Sequence, residues 1–373
     1  MKISVSEPEL GKEELANVID CVKSGMISGY GGQYLEEFED RFSTFCGCDY
    51  GVATTSCATA MLLALESLGI GAGDEVITST FTMIATVSAI MHTGATPVLV
   101  DVEPDTWNIN PTKIEEKITH RTRAIIPVPI YGHPVDILAI REIADLYDLV
   151  IIEDAAEAIG ARYHNGPVGA LSDVACFSFY INKVITTGEG GMLVTNDKEL
   201  ADRARRLKGY DTDAKSRFTH QRLGFNYRMS NVQAAIGCAQ MDKIGKLVSA
   251  KKRIAGQYLS RLGKLDWLQM PTEKNWATNC YWVFGLLVKP KAKMGRDELV
   301  KALRESEIET RNFFVPMNLQ PALLDKGLFQ GEKYPIAEDI SRRGLYLPNG
   351  IALTEAQIDY ICNCIEGNGK CLI

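Results

Sequence analysis

The sequence lacks the features that would place it in a membrane or on nucleic acid. No apolar run in its 373 residues reaches the roughly 18–20 residues that span a bilayer. The N-terminal stretch MKISVSEPELGKEEL has no apolar core and does not resemble a secretory signal. The net charge of −7 argues against a partner that carries many phosphates. We therefore expect a cytoplasmic protein with neither a membrane nor a nucleic-acid partner.

Histidine is scarce and cysteine is dilute, so we expect no metal site. The chain has five histidines and ten cysteines. Its two C-x-C pairs, Cys46/Cys48 and Cys362/Cys364, have no second pair nearby that would complete a zinc site. Cys176 and several others sit in apolar stretches, which is typical of buried free thiols.

A dinucleotide-binding fingerprint is also missing. The first predicted strand–helix turn reads A-T-T-S-C-A-T-A and contains no G-x-G-x-x-G. The GEGG at 188–191 precedes a predicted strand and does not open a helix. Both observations argue against a dinucleotide-dependent oxidoreductase, which would otherwise share the same kind of sheet.

What the sequence does contain is an alternation of apolar runs and amphipathic helical segments. The runs are VAT (52–54), EVIT (75–78), TPVLVDV (96–102), RAIIPVPI (123–130), LVIIED (149–154), VACFSFY (174–180) and MLVTND (192–197). Continuously apolar strands separated by helices predict a mostly parallel sheet with helices on both faces. A helix over 12–23, with Leu15, Val18, Ile19 and Val22 on one side, precedes this region.

The pattern changes after a long helical stretch over about 231–262. YWVFGLLV (281–288) predicts a strand and RDELVKALRES (296–306) predicts a helix. A last helix begins at Thr354, where T-E-A-Q has the form of a capping box. We therefore expect a large α/β domain over 1–250 and a smaller α+β domain over 251–373.

Three polar features follow strands of the predicted sheet. Asp154 ends one strand, Lys183 follows another, and residues 55–59 open a helix after a third. Ligands of parallel sheets collect beyond the carboxyl ends of the strands. Singly, these features are ordinary caps and solvated side chains. Together they suit pyridoxal 5′-phosphate (PLP), which needs a lysine for its aldehyde, a carboxylate for its ring nitrogen and a helix N-terminus for its phosphate.

Several stretches also resemble one known family. They are FEDRFSTFCG (38–47), GIGAGDEVITSTFT (69–82), GATPVLVDV (94–102), VIIEDAAEAIGA (150–161), FSFYINKVITTGEGGMLVTND (177–197) and LGFNYRMSNVQAAIG (223–237). They are similar to the nucleotide-sugar aminotransferases of the DegT–StrS type, which are PLP-dependent enzymes of fold type I. The resemblance extends over nearly the whole chain.

The resemblance implies roles for individual residues. Lys183 attaches to the cofactor, and Asp154 pairs with the ring nitrogen. Glu157 lies near the ring hydroxyl. Ser178 contacts the phosphate, together with backbone N–H groups around Ala58 and Thr59. Asn226 reaches the phosphate bound by the neighbouring subunit, so the resemblance implies a homodimer with shared active sites.

Two positions depart from the family pattern. Met83 stands where an aromatic residue commonly stacks on the cofactor, so either a thioether contact or another group replaces the ring there. Asn318 stands where the tail motif F-F-x-P-x-H has histidine. Candidate contacts to the sugar nucleotide are Arg222, Arg228, Arg311 and Asn318, because an arginine fork suits a diphosphate or a carboxylate. Pairing of these arginines with local carboxylates is the alternative.

The resemblance also implies a reaction. A lysine at position 183 favours transamination over the dehydratase branch of the family, which has histidine there. The segment N-K-x-I-T-T-G-E-G-G is similar to the branch that aminates C4 of 4-keto-6-deoxy sugars. F-N-Y-R-M-S-N and I-C-N-C-I are most similar to enzymes that form GDP-perosamine, an amino sugar of O-antigen polysaccharides. This implies L-glutamate as donor and GDP-4-keto-6-deoxymannose as acceptor, with UDP- or dTDP-linked sugars as alternatives.

A non-catalytic sensor with the same fold is the alternative from another class. Such a protein would bind the cofactor or the sugar nucleotide without turning it over. The presence of Lys183, Asp154, Ser178 and Asn226 together argues against it.

Overall fold

The computed structural model of the protein describes residues 2–212 and 218–367. Its strands are β1 Tyr50–Thr54, β2 Glu75–Ser79, β3 Thr96–Val100, β4 Thr122–Ile126, β5 Val150–Asp154, β6 Arg162–Tyr163, β7 Gly166–Pro167, β8 Val174–Ser178, β9 Gly191–Thr195, β10 Leu268–Gln269, β11 Ala277–Thr278, β12 Phe284–Val288, β13 Arg311–Asn312 and β14 Gly344–Leu347.

Its α-helices are α1 Lys12–Ser24, α2 Gln33–Phe45, α3 Cys57–Leu68, α4 Ile84–His92, α5 Ile137–Tyr147, α6 Lys198–Leu207, α7 Asn231–Asp242, α8 Ile244–Leu262, α9 Arg296–Glu305, α10 Pro321–Leu324, α11 Pro335–Arg343 and α12 Glu355–Glu366. Short 3₁₀ turns lie at Pro111–Lys113, Glu115–Lys117, Ile130–Gly132 and Met317–Leu319. None of the helices in the described ranges is both long and apolar enough to cross a bilayer.

A seven-stranded sheet forms the centre of the molecule, in the order β1-β9-β8-β5-β4-β2-β3. β9 pairs antiparallel with both β1 and β8, and the other neighbouring pairs are parallel. Each of the seven predicted apolar runs overlaps one of these strands. The predicted architecture, a mostly parallel sheet between helices, is therefore confirmed.

Alternating side chains of these strands pack into different cores, as expected for strands covered on both faces. On β8, Phe177 packs with Phe38 and Phe42 of α2, whereas Cys176 packs with the core that contains Met61 of α3. The rings of Phe42 and Phe177 meet edge to face with centroids 5.0 Å apart. Fixing both faces of β8 in this way fixes the position of its last residue, Ser178.

The C-terminal part forms a second, smaller layer. Its four strands lie in the order β10-β12-β14-β13, all antiparallel, with helices packed beside them. The small-domain boundary at 250 stays a prediction; this position lies inside α8. The N-terminal segment also reaches this layer, because Ile3 forms a bridge with Ile308.

The structure corrects three details of the predicted elements. The helical stretch over 231–262 is two helices, because Lys243 leaves helical geometry and its amine bonds to Glu14 at 2.8 Å. The strand predicted over 281–288 begins only at Phe284, because Tyr281 adopts a left-handed φ of 51°. Free, buried thiols are confirmed for eight cysteines, but the expectation is wrong for Cys364, which is disulfide-bonded.

Candidate active site

The predicted polar residues meet at one edge of the central sheet. Since β9 is antiparallel to both of its neighbours, β1, β8 and β5 point the same way and end at the same edge. Their last residues are Thr54, Ser178 and Asp154. The structure therefore brings Asp154, Ser178 and the start of α3 to the same edge of the sheet.

Asp154 is buried and held by three donors. The hydroxyl of Thr86 donates to its Oδ2 at 2.7 Å, and the backbone N–H of Ala156 donates to Oδ1 at 3.3 Å. The thiol of Cys57, the first residue of α3, lies 3.7 Å from Oδ1. Burial raises the pKa of the Asp154 carboxyl, while the Thr86 hydrogen bond and the Lys183 charge lower it. A cation placed against this carboxylate would favour its charged form.

The amine of Lys183 lies near the buried carboxylates of the site. Within the described ranges, its Nζ makes no ion pair within 4 Å, and the ring centroid of Trp282 lies 3.5 Å away. Burial lowers the pKa of Lys183, and the nearby Glu157, Cys57 and Asp154 raise it. Desolvation of an amine increases the neutral fraction that can act as a nucleophile.

Glu157 is the second buried carboxylate of the site. Its Oε2 accepts a hydrogen bond from the backbone N–H of Tyr131 at 2.7 Å. Burial raises the pKa of Glu157 to about 7, against the effect of the Lys183 charge. Tyr131 has a left-handed φ of 56°, and such strain in a non-glycine residue is often kept at functional sites.

The start of α3 forms a cradle for an anion. Ser56 caps the helix, and its hydroxyl accepts from the N–H of Thr59 at 3.2 Å. The backbone N–H groups of Cys57 and Ala58 lie in the first turn of the helix, where no carbonyl within the helix can accept from them. A phosphate can therefore accept hydrogen bonds from both. Gly191 of β9 passes this turn closely: a Cβ there would lie 2.3 Å from the carbonyl carbon of Ser56. Only glycine at this position leaves the turn its shape.

Ser178 faces the same region and is buried. Its Oγ accepts from the N–H of Tyr180 at 3.3 Å, so the hydroxyl hydrogen remains available to a ligand. The cradle, the desolvated lysine and the buried acid fit the three chemical demands of PLP. The individual assignments to Ala58, Thr59, Ser178 and Glu157 remain predictions.

Met83 and Asn226 lie at the outer side of the site. Met83 caps α4, is about half exposed at 49%, and its sulfur accepts from the N–H of Ala85 at 3.0 Å. Asn226 is exposed and forms a backbone bridge with Gly209. The next residue, Tyr227, accepts from the N–H of Thr55 at 3.0 Å, so this segment runs beside the phosphate turn. The roles predicted for Met83 and Asn226 remain predictions.

The four predicted substrate contacts differ in their surroundings. Arg222 is exposed. Arg228 is half-buried, with its guanidinium 5.7 Å from the ring centroid of Tyr210. Arg311 is exposed and pairs with Glu309 at 2.6 Å. The described contacts do not join any of these arginines to Lys183.

Asn318 is buried, and its side-chain amide is hydrogen-bonded within the protein. Its Oδ1 accepts from the hydroxyl of Thr80 at 3.1 Å, and its Nδ2 donates to Glu338 at 2.9 Å and to the carbonyl of Glu332 at 3.2 Å. A sugar contact by Asn318 remains a prediction, since both hydrogens of its Nδ2 are already donated within the protein.

Sequence reasoning missed three residues of the site: Thr86, Tyr131 and Trp282. Thr86 lies one helical turn after Thr82, and the family stretch ends just before it, so the strand–helix pattern offered a weak signal. Tyr131 and Trp282 gave no signal, because nothing local marks a left-handed tyrosine or says which core tryptophan meets the lysine.

This fold and this edge of the sheet define a PLP-dependent aminotransferase. The sequence profile of the DegT/DnrJ/EryC1/StrS aminotransferase family matches residues 8–366. The chain therefore belongs to the DegT/DnrJ/EryC1/StrS aminotransferase family, whose members act on nucleotide sugars.

Individual relatives cover most of the chain. GDP-perosamine synthase of Escherichia coli O157:H7 is 41% identical over 364 residues, which are 98% of each chain. dTDP-3-amino-3,4,6-trideoxy-alpha-D-glucose transaminase of Streptomyces venezuelae is 39% identical over 328 residues, covering 87% of this chain and 84% of that one. The crystal structure of S. venezuelae DesV superimposes with a TM-score of 0.91 at 35% identity and covers 99% of both chains.

Proposed function

We propose that this protein transfers the amino group of L-glutamate to C4 of GDP-4-keto-6-deoxy-D-mannose and so forms GDP-perosamine. The observation that carries the aminotransferase chemistry is the desolvated amine of Lys183, which forms no ion pair among residues 2–212 and 218–367 and lies beside two buried carboxylates, Asp154 and Glu157. The choice of sugar is supported by the 41% identity with a GDP-perosamine synthase over 98% of both chains.

Each residue of the site has a different role in the proposed reaction. When bound, PLP supplies a ring that delocalises the electron pair left behind when the donor carbon loses its proton. Lys183 Nζ would hold the cofactor through its aldehyde, and its free amine would carry that proton as general base and then general acid. Asp154 keeps a proton on the ring nitrogen, since a buried carboxylate favours a cation beside it. Ser178 and the first N–H groups of α3 bind the phosphate.

We also propose that the active sites are completed in a homodimer. Apolar side chains of the N-terminal region are exposed in the single chain, although the sequence pattern placed several of them on one helix face. They are Leu10, Leu15, Ile19, Val22, Met26, Ile27 and Tyr30. A concentration of exposed apolar side chains in one segment supports an interface with another protein there. The exposed Asn226 would then serve the neighbouring phosphate site.

The homodimer has a direct test. Lys183→Ala and Asn226→Ala subunits are each expected to be inactive alone. If sites are shared, unfolding and refolding them together restores activity in mixed dimers, because one of the two sites then has both residues. Failure of the mixture to regain activity, or a monomer in sedimentation, would contradict the proposal.

A second candidate substrate class is a dTDP- or UDP-linked keto sugar. It is favoured by the 39% identity with a dTDP-sugar transaminase over 87% of this chain. The experiment supplies GDP-, dTDP- and UDP-linked 4-keto-6-deoxy sugars with L-glutamate and follows the product mass and kcat/KM. We expect the GDP-linked mannose derivative to give the highest kcat/KM. A higher value with a dTDP- or UDP-linked sugar contradicts the GDP assignment while leaving the aminotransferase intact.

A further inference from the structure

Trp282 is the aromatic residue that touches the catalytic lysine. Its ring centroid lies 3.5 Å from Lys183 Nζ, and its indole N–H donates to the carbonyl of Asn182 at 2.9 Å. The side chain is buried, with 6% of its surface exposed. The indole is thus tied to the residue just before the lysine while its face covers the amine.

Trp282 is itself fixed from the small-domain side. Its carbonyl accepts from Lys251 Nζ of α8 at 3.1 Å, and the same amine donates to the carbonyl of Asn349. Asn349 Nδ2 donates in turn to the carbonyl of Tyr281 at 2.6 Å. Both residues of the bend that precedes β12 are therefore held, and this bend sets the position of the indole.

These contacts restrict where the lysine amine can go. An ammonium is attracted to an aromatic face, and an apolar wall excludes water from one side of the amine. Five titratable groups on the surrounding elements interact electrostatically with Lys183. They are Asp154 at the end of β5, Glu157 just after it, Cys57 on α3, Cys280 before β12 and Lys251 on α8. Among the contacts described for Nζ, only Trp282 supplies a surface against which the amine rests.

We propose that Trp282 is a positioning residue, which keeps the released Lys183 amine against the indole face and so in line with the proton that it transfers. The inference rests on the proposed role of Lys183 as proton carrier. Misplacing a transferring group by about 1 Å can cost roughly a hundredfold in rate. Trp282 is not required for cofactor attachment itself.

The test uses Trp282→Leu, Trp282→Phe and, as a matched control, Trp276→Phe, which replaces a tryptophan that packs on Tyr163 and His133. The loaded enzymes are mixed with L-glutamate, without sugar, and the half-reaction is followed by absorbance. We expect Trp282→Leu to slow it by about tenfold to a hundredfold with an unchanged KM for glutamate. The rate with α-deuterated glutamate should fall further, because proton transfer becomes more rate-limiting.

A second readout uses the cofactor-free protein. The rate at which an acylating reagent modifies Lys183, measured by peptide mass spectrometry, is expected to rise severalfold in Trp282→Leu because the wall over the amine is gone. Trp282→Phe keeps a ring there and is expected to lie between Leu and the wild type in both measurements. Trp276→Phe should match the wild type.

Three outcomes overturn the proposal. These are a wild-type half-reaction rate and isotope effect in Trp282→Leu, a Phe variant as slow as the Leu variant, or unchanged labelling of Lys183. If Trp282→Leu does not fold, Trp282→Phe decides, and wild-type values in it reject the proposal. A wild-type protein that never attaches PLP through Lys183 would instead reject the proposed function.

Discussion

The residues proposed to hold the cofactor (the cofactor side) and those proposed to bind the substrate (the substrate side) have different surroundings. Asp154, Glu157 and Ser178 are buried, and protein donors such as the Thr86 hydroxyl fix the two acids. Arg222, by contrast, is exposed, and the exposed Arg311 is paired with its neighbour Glu309.

The difference teaches which interactions one chain can complete by itself. A buried carboxylate must find its partners within the fold, since leaving it unpaired is costly. An exposed arginine is solvated, so it needs no fixed partner until a ligand or a second subunit arrives. The two acids are therefore fixed within one chain, whereas the exposed arginines proposed as substrate contacts can still respond to a ligand or to a second subunit.

The largest expected effect belongs to the cofactor side. Lys183→Ala should lower the transamination rate by about four orders of magnitude or more, because it removes both the nucleophile and the proton carrier. After borohydride treatment, the denatured wild type should carry the mass of one cofactor, and the variant should not. Lys251→Ala is no suitable control because it disturbs Trp282; the exposed Lys246→Ala should behave as the wild type. A labelled Lys183→Ala protein would contradict the assignment.

Asp154→Asn should lower kcat by about a hundredfold to a thousandfold, since a neutral amide no longer holds the ring nitrogen cationic. Covalent attachment of the cofactor should survive, because Lys183 is intact. Stopped-flow measurement of the glutamate half-reaction checks this. The exposed Asp242→Asn serves as control, and wild-type turnover in Asp154→Asn would remove Asp154 from the mechanism.

The buried Glu153, which precedes Asp154 on β5, predicts that the free energy of unfolding depends on pH. Glu153 accepts from Ser172 at 2.7 Å and from the N–H of Gly169 at 3.0 Å, and burial raises its pKa from 4.5 to about 7. The folded protein therefore binds more protons than the unfolded chain between these values. The contribution of Glu153 to the free energy of unfolding should fall by roughly 3 kcal/mol as the pH rises through this window.

Glu153→Gln should reduce the pH dependence without abolishing it, because an amide does not titrate whereas Glu157, whose pKa is also raised to about 7, still does. Urea unfolding of the cofactor-free protein between pH 4.5 and pH 7.5 measures it. The exposed Glu116→Gln is the control and should keep the wild-type slope. An unchanged slope in Glu153→Gln would show that another group carries the effect.

On the substrate side, Asn318→Ala should act on stability rather than on binding. It removes the acceptor of the buried Thr80 hydroxyl and one of the donors to Glu338, which keeps the N–H of Tyr334, at a cost of about 1–3 kcal/mol in the free energy of unfolding. Thermal unfolding and the KM for the sugar nucleotide measure the two effects separately. Its exposed neighbour Asn312→Ala is the control. A raised KM at unchanged stability would assign Asn318 to the sugar.

The smallest expected effect is that of Arg228→Ala. Losing one charged hydrogen bond to an anionic substrate group should raise one of the two Michaelis constants by roughly tenfold. Arg342→Ala, on the exposed side of α11, should raise neither. If both Michaelis constants stay unchanged in Arg228→Ala, the arginine serves the protein rather than the substrate.

Sequence patterns predicted the seven central strands because a strand buried on both faces must be apolar throughout. They also predicted that Asp154, Lys183 and the start of α3 share one edge, because parallel strands end together. They did not predict Trp282, since its contact with Lys183 depends on the left-handed bend at Tyr281. Nor did they predict that the apolar side of α1 is exposed in the single chain.

Local chemistry therefore decided the sheet, its helices and the residues that can bind a phosphate, an aldehyde and a cationic ring, because period and residue type act over a few positions. The packing of distant segments decided which aromatic ring covers the lysine and which hydroxyl holds the acid. It also decided that the side chain of Asn318 is bonded within the protein. These contacts join residues far apart in the chain, and no local pattern records them.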